Sequence, residues 1–138
     1  MSLTDYSDLE QEIKDAPEPI VLGRGVEVRA RIISVRSGTS ETNDCKYHSP
    51  VFDIPDNPMV IEFNAFFWEL DKDKLTEKQY ARALNSFQKF ATAIELDYSR
   101  PFDWDEDLVG MECDMILGVK KDPEYGDKNT VSKYVVKK

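Results

Sequence analysis

The chain has 138 residues and a formal net charge of −9, and 41% of its residues are hydrophobic. This composition supports one hydrophobic core, and the length leaves no room for a second domain of ordinary size. No apolar run approaches the ~20 residues that a membrane-spanning helix needs, and the N-terminus lacks the basic-then-apolar order of a secretory signal. We therefore expect a cytoplasmic protein that does not engage a membrane.

The acidic residues are concentrated in two segments. Residues 1–18 carry six acidic side chains and one lysine, and residues 97–107 carry five and one arginine, so these segments contribute −5 and −4. The rest of the chain sums to zero and gathers arginines in one stretch: Arg24, Arg29, Arg31 and Arg36. The overall acidity therefore does not exclude a polyanionic ligand.

In chain order, the first predicted element is an acidic N-terminal arm, residues 1–19. Its apolar residues have the spacing of a short amphipathic helix that ends before Pro17. These apolar residues are Tyr6, Leu9 and Ile13. The remaining residues, 20–138, are predicted to form the folded domain.

The domain begins with two predicted strands. Residues 26–32 alternate between apolar and charged side chains, which indicates a half-buried strand whose polar face is mostly arginine. Residues 37–44 are almost all turn-forming and predict a mobile loop. The second strand, residues 46–54, contains Pro50, which is typical of an edge strand or a bulge.

A third strand is predicted over residues 59–70, with aromatic side chains on both faces. Alternation directs one set toward the core: Ile61, Phe63, Ala65 and Phe67. The opposite face carries Glu62, Asn64, Phe66 and Trp68. We therefore expect two aromatic rings, those of Phe66 and Trp68, on the outside of the sheet.

One helix is predicted from Thr76 to about Leu96, since Thr76 and Gln79 form a capping box. Its apolar stripe, expected to be core, is Tyr80, Leu84, Phe87, Ala91 and Ile94. An acidic, aromatic linker precedes a fourth strand beginning at Gly110. A polar hairpin over residues 120–129 then leads into a fifth strand, 130–136.

This order, β-β-β-α-β-β, is that of the oligonucleotide/oligosaccharide-binding (OB) fold. The predicted fold is therefore mostly β (β+α): an OB-fold-like five-stranded barrel with one helix between strands 3 and 4 and a short N-terminal arm. Proteins of this fold bind single strands across one face and between two loops. The ligand expected from the fold is thus a single-stranded nucleic acid.

Binding a single strand without reading its sequence requires cations that follow the phosphates and aromatic faces on which bases stack. The chain offers both on polar faces and in loops. The predicted nucleic-acid-binding residues are Arg29, Arg31, Arg36, Lys46, Tyr47, Phe66, Trp68, Lys120, Tyr125 and Lys128.

Three short stretches carry a family resemblance: Ile20-Val21-Leu22-Gly23-Arg24-Gly25 leading into Val26-Glu27-Val28-Arg29-Ala30-Arg31-Ile32, Leu108-Val109-Gly110, and Glu124-Tyr125-Gly126-Asp127 with Asn129-Thr130-Val131. Over about six-sevenths of its length the chain resembles bacteriophage single-stranded-DNA-binding proteins of the OB-fold type. The resemblance implies that the protein binds single-stranded DNA without turnover and supports DNA replication or recombination in the cytoplasm of a bacterial host.

Proteins of this kind often end in an acidic tail that recruits partners, whereas this chain ends in Lys137 and Lys138. The acidic arm is therefore the alternative place for contacts with replication or recombination proteins. The sequence does not distinguish DNA from RNA as the ligand, or a homodimer from a monomer.

Two other classes of function compete. An acidic protein-binding adaptor or DNA mimic would use the same barrel, with Phe66 and Trp68 as anchors for a partner. A metal-dependent nuclease would need several converging carboxylates, which the sequence matches only weakly around Asp56 and Glu62. No phosphate-binding glycine loop or nucleophile motif is present, so we expect no enzyme activity.

We also expect no cofactor and no metal. Cys45 and His48 have a C-x-x-H spacing, but His48 is the only histidine and Cys113 the only other cysteine. Four zinc ligands would then need a carboxylate, which is unusual for a structural site. Both cysteines are expected to be reduced.

Overall fold

The structure is a computed structural model that describes residues 2–136. Met1, Lys137 and Lys138 lie outside the described residues, and with them the lysine-terminated end of the chain. The elements in chain order are a 3-10 turn at Ser7–Leu9, α1 (Glu10–Lys14), β1 (Glu27–Thr39), β2 (Lys46–Asp53), β3 (Phe63–Asn64), β4 (Phe67–Trp68), α2 (Glu77–Ile94), β5 (Glu112–Lys120) and β6 (Lys128–Val135).

The strands form one antiparallel sheet in the order β3-β2-β1-β5-β6, and β4 also pairs with β2. The outermost strands β3 and β6 approach each other. No ladder joins them in the part of the chain that the structure describes, so the sheet is open there. The mostly β, β+α class is confirmed. The predicted five-stranded barrel is wrong, because residues 2–136 form an open sheet of six strands.

Strand β1 is longer than its alternation predicted. Its last residues, Ser37 to Thr39, pair with the first residues of β2, so the predicted loop over 37–44 is wrong for those three positions. The pairing register shifts between Ile32 and Ser34. Such a bulge bends a strand and increases its twist. One long strand therefore pairs with β5 along its first part and with β2 along its second.

The third predicted strand, residues 59–70, is broken into β3 and β4, and Pro50 in the facing strand explains the break. Ala65 N donates to Pro50 O (3.1 Å), but proline has no N–H with which to return the bond. The Ala65 carbonyl accepts from Ser49 Oγ instead (2.5 Å). Strand β2 is flanked on both sides, so the prediction of an edge strand is wrong. Ile61, predicted to be core, is 43% exposed.

Helix α2 has the predicted capping box. Thr76 Oγ1 accepts from Gln79 N (3.1 Å), and Gln79 Oε1 accepts from Thr76 N (3.0 Å). The helix ends at Glu95, whose φ of 58° is left-handed. Phe90, fully buried, lies outside the predicted stripe, while Leu84 on that stripe is 42% exposed. The core thus forms between the inner face of the sheet and the C-terminal half of α2.

Residues 2–20 are exposed throughout. Helix α1 contacts the adjacent 3-10 turn and no other helix or strand within residues 2–136. The chain first joins the sheet region at Ile20, whose N–H donates to Met59 O (2.8 Å). No helix in the described range is long and apolar enough to cross a bilayer.

Candidate nucleic-acid interface

Three aromatic rings lie together on the outer face of the sheet, and we call Tyr47, Phe66 and Trp68 the aromatic cluster. Tyr47 and Trp68 are opposite each other in the β2–β4 pair. Phe66 stacks on Tyr47, with ring centroids 5.2 Å apart, and meets Trp68 edge-on at 4.8 Å. Phe66 is 49% exposed, and the other two rings are half-buried. The cluster offers solvent a continuous aromatic surface.

The strand register explains why this cluster faces outward. The neighbouring pair, His48 and Phe67, points inward, where Phe67 is buried in the core. Because successive side chains alternate between faces, Tyr47 and Trp68 must point outward. The ring of Tyr47 lies across Gly38, where an added Cβ would be 2.7 Å from the Tyr47 hydroxyl oxygen. Gly38 thus leaves the space that the Tyr47 ring occupies. This role was not predicted, because Gly38 fell within the predicted loop over residues 37–44.

Arg29 and Arg31 point to the same outer face but already have acidic partners. Arg31 donates from Nε and Nη2 to the two oxygens of Asp53 (3.2 and 2.8 Å), and this contact raises the pKa of Arg31 above its ordinary value. Arg29 lies 3.6 Å from Glu112 and 3.4 Å from Asp114. The predicted basic stripe is therefore largely neutralised where β1 pairs with its neighbours.

The acidic partners were missed in the sequence because strand pairing brings them to the arginines. Asp53 lies opposite Arg31 in β2, while Asp114 lies opposite Arg29 in β5. All three carboxylates, including that of Glu112, belong to β2 or β5, the two strands that pair with β1. A correct prediction that strand 1 pairs with strands 2 and 4 would have placed these carboxylates beside the arginines.

Two other arginines are placed differently. No ion pair in the described part of the chain includes Arg36, which lines a groove beside Val51 and Asn64 on the outer face. Arg82 of α2, which sequence reasoning missed, lines a cleft together with Phe66 and Trp68. Only the docking of α2 beside β4 brings Arg82 there. These two cations are the best placed to contact phosphates beside the aromatic cluster.

The remaining predicted residues lie elsewhere. Lys46 is exposed and shares a small pocket with Asp44, Glu69 and Asp71. Three others belong to the β5–β6 hairpin: Lys120, Tyr125 and Lys128. Tyr125 is 82% exposed. The hairpin lies beyond the first residue of β1, and the cluster lies beside its last residues, so the two sets are at opposite ends of that strand.

The C-x-x-H pair has ordinary protein partners. Cys45 Sγ donates to the carbonyls of Lys46 and Glu69, and burial raises the Cys45 pKa. His48 is held by Ser37 Oγ at 2.7 Å and Glu69 Oε2 at 3.3 Å. Both cysteines are free and buried, and burial raises the pKa of Cys113 to about 11. Within residues 2–136 no group of three His, Cys, Asp or Glu side chains is arranged to hold a metal ion.

No protein-family model matches the chain, and no curated protein matches it in sequence.

Proposed function

We propose that the protein binds single-stranded DNA with little sequence preference, without turnover, and supports bacteriophage DNA replication or recombination in the cytoplasm of a bacterial host. The observation that carries this proposal is the exposed aromatic cluster of Tyr47, Phe66 and Trp68 on the outer face. Such a surface suits unstacked bases, each of which gains about 1–3 kcal/mol by stacking on an aromatic ring.

The topology supports an OB-type reading of the fold. If β3 and β4 are counted as one interrupted strand, the sheet has five strands and α2 follows the third of them. OB folds are partly open, five-stranded Greek-key barrels that bind oligonucleotides on the face of strands 2 and 3. The aromatic cluster lies on that face, because Tyr47 belongs to the second strand and Trp68 to the third.

The charges refine the binding mechanism. With Arg29 and Arg31 engaged by carboxylates, Arg36 and Arg82 are the cations left to contact phosphates near the rings. Each phosphate contact on a single strand contributes about 0.7 to the salt slope of binding. We therefore expect binding dominated by stacking, with a shallow dependence on salt.

A fluorescence titration tests the proposal. Labelled oligo-dT is titrated with the protein at about 50 and 200 mM salt, and intrinsic tryptophan emission is followed in parallel. Saturable binding is expected, with tryptophan quenching as bases stack and moderate weakening at the higher salt. Double-stranded DNA of the same length is the control and should bind more weakly. Absence of oligo-dT binding at low salt would refute the proposal.

A protein-binding adaptor or DNA mimic is the second candidate, and two observations favour it. The arm leaves Leu9 and Ile13 exposed within an acidic segment, and the ion pairs of Arg29 and Arg31 remove positive charge from the sheet. An acidic, partly apolar surface suits a protein partner better than a polyanion. The same titration separates the two candidates, because an adaptor would leave oligo-dT unbound.

A further inference from the structure

A second aromatic cavity, of about 660 Å³, lies beside the sheet on the other side of Trp68. Its walls include Phe87 of α2 and two rings of the following linker, Phe102 and Trp104. Tyr98, which is 56% exposed, also lines this cavity. The volume is within the range of about 300–1,000 Å³ that is usual for ligand pockets. We call this cavity the linker cleft.

The rings of the linker cleft are held firmly. Trp104 stacks on His48 with centroids 4.5 Å apart and an interplanar angle of 9°. Its indole also lies 5.8 Å from the Phe87 ring and 5.7 Å from the Phe102 ring. Phe102 in turn stacks on Phe87 at 6.1 Å. The aromatic walls of the cleft therefore hold one another in position.

Two side chains of opposite charge line the linker cleft, Glu69 and Arg100. Glu69 lines it with a half-exposed carboxylate, 3.3 Å from His48 Nε2. The linker that forms one wall, residues 97–107, carries five acidic side chains against one arginine. That arginine, Arg100, lies 3.6 Å from the Asp97 carboxylate. Because Arg100 is paired with Asp97, Glu69 is the lining charge left to attract a ligand, and a cation would meet both its carboxylate and the ring faces.

We propose that the linker cleft binds the guanidinium or ammonium group of an Arg or Lys side chain from a partner protein. A cation within about 6 Å of an aromatic centroid is attracted by the ring quadrupole, and arginine adds planar stacking. Glu69 supplies the opposing charge at the opening. The chemistry is opposite to that of a phosphate site, and Trp68 is the residue that lines both this cleft and the cleft with Phe66 and Arg82.

A single-tryptophan variant gives a direct measurement. Both tryptophans of the chain line the linker cleft, so Trp68→Phe keeps an aromatic ring at position 68 and leaves Trp104 as the sole tryptophan emitter. This variant is titrated separately with N-acetyl-arginine amide, with its neutral isostere N-acetyl-citrulline amide, and with thymidine monophosphate. Saturable change in Trp104 emission with the arginine probe, and none with the other two, is expected. Equal response to citrulline, response to the nucleotide alone, or no response to arginine would overturn the inference.

Substitutions at the opening locate the binding site. Glu69→Gln and Tyr98→Ala should each weaken binding of the arginine probe by about threefold or more. Glu62→Gln is the matched control, because this exposed carboxylate lines a different groove, and it should bind like the parent. Circular dichroism melting of each variant verifies folding. Tyr98→Ala should also leave oligo-dT binding unchanged. Arginine-probe binding therefore tests the linker cleft, and oligo-dT binding separately tests the proposed DNA binding.

Discussion

The outer face of the sheet has an aromatic part and an arginine part, and the two differ in how their side chains are partnered. In the aromatic part, Phe66 keeps half of its surface exposed although it contacts both neighbouring rings. In the arginine part, Arg29 and Arg31 are held by carboxylates of the adjacent strands. The first part presents surface to a ligand, whereas the second has already satisfied its charge within the fold.

This difference shows that side chains on one face are not equally available. A ring that packs edge-on still offers a face for stacking, since dispersion and hydrophobic contacts do not saturate. A guanidinium group that donates to both oxygens of a carboxylate has part of its donors and its charge already engaged when it meets a phosphate. The sheet should therefore bind a single strand mainly through its rings, and three substitution experiments examine this contrast.

The largest effect is expected from removing a ring. Phe66→Ala should weaken oligo-dT binding by about 1–3 kcal/mol, because one base loses its stacking surface. The salt slope should not change, since no charge is altered. Fluorescence titrations at two salt concentrations measure both quantities.

Leu84→Ala is the matched control for this ring. Leu84 is also an exposed apolar side chain, 42% exposed, but it lies on α2 outside the aromatic cluster. It should bind oligo-dT like the wild type. If Phe66→Ala and Leu84→Ala bind equally well, the aromatic cluster is not the DNA-binding surface.

A smaller loss is expected from displacing a ring without removing it. In Gly38→Ala the new Cβ would lie 2.7 Å from the Tyr47 hydroxyl oxygen and 2.9 Å from Cζ, so the ring must move away from the strand. We expect oligo-dT binding to weaken by roughly 1 kcal/mol, the lower end of one lost stack. Gly23→Ala, where no atom lies within 4 Å of the added Cβ, is the control and should have no effect on affinity. Unchanged binding by Gly38→Ala would show that the position of Tyr47 does not matter.

The smallest effect concerns the arginine part. Asp53→Asn removes the carboxylate that holds Arg31, and it should steepen the salt slope of oligo-dT binding by about 0.7 with modest tightening at low salt.

Arg36→Ala should make the salt slope of oligo-dT binding shallower by a similar amount, because Arg36 has no ion pair within residues 2–136. Arg31→Ala should leave it nearly unchanged. Equal slopes for Arg31→Ala and Arg36→Ala would contradict the difference in partnering.

The elements that local signals specify were predictable. Helix α2 follows from the capping box at Thr76, and the inward direction of Phe63 and Phe67 follows from strict alternation. The first part of β1 followed in the same way, because its burial follows the period-2 pattern. The same alternation predicted that the side chains of Phe66 and Trp68 point outward.

Features that depend on pairing between distant segments could not be read from the sequence. Asp53 and Asp114 reach the arginines only through strand register, and Arg82 reaches the rings only through helix docking. The interruption of the third strand depends on Pro50, a residue of another strand. Nothing in residues 65 and 66 themselves signals it.

Pro50 has a consequence for the adaptability of the aromatic surface. It frees Ala65 and Phe66 from the ladder at one point, while the hydroxyl of Ser49 keeps the Ala65 carbonyl from becoming an unpaired buried acceptor. Tyr47 and Trp68 on either side remain in paired strands. We therefore expect the Phe66 ring, which is held by its two neighbouring rings and not by strand pairing, to shift more readily than they do. Such freedom would let one surface accept bases of different size.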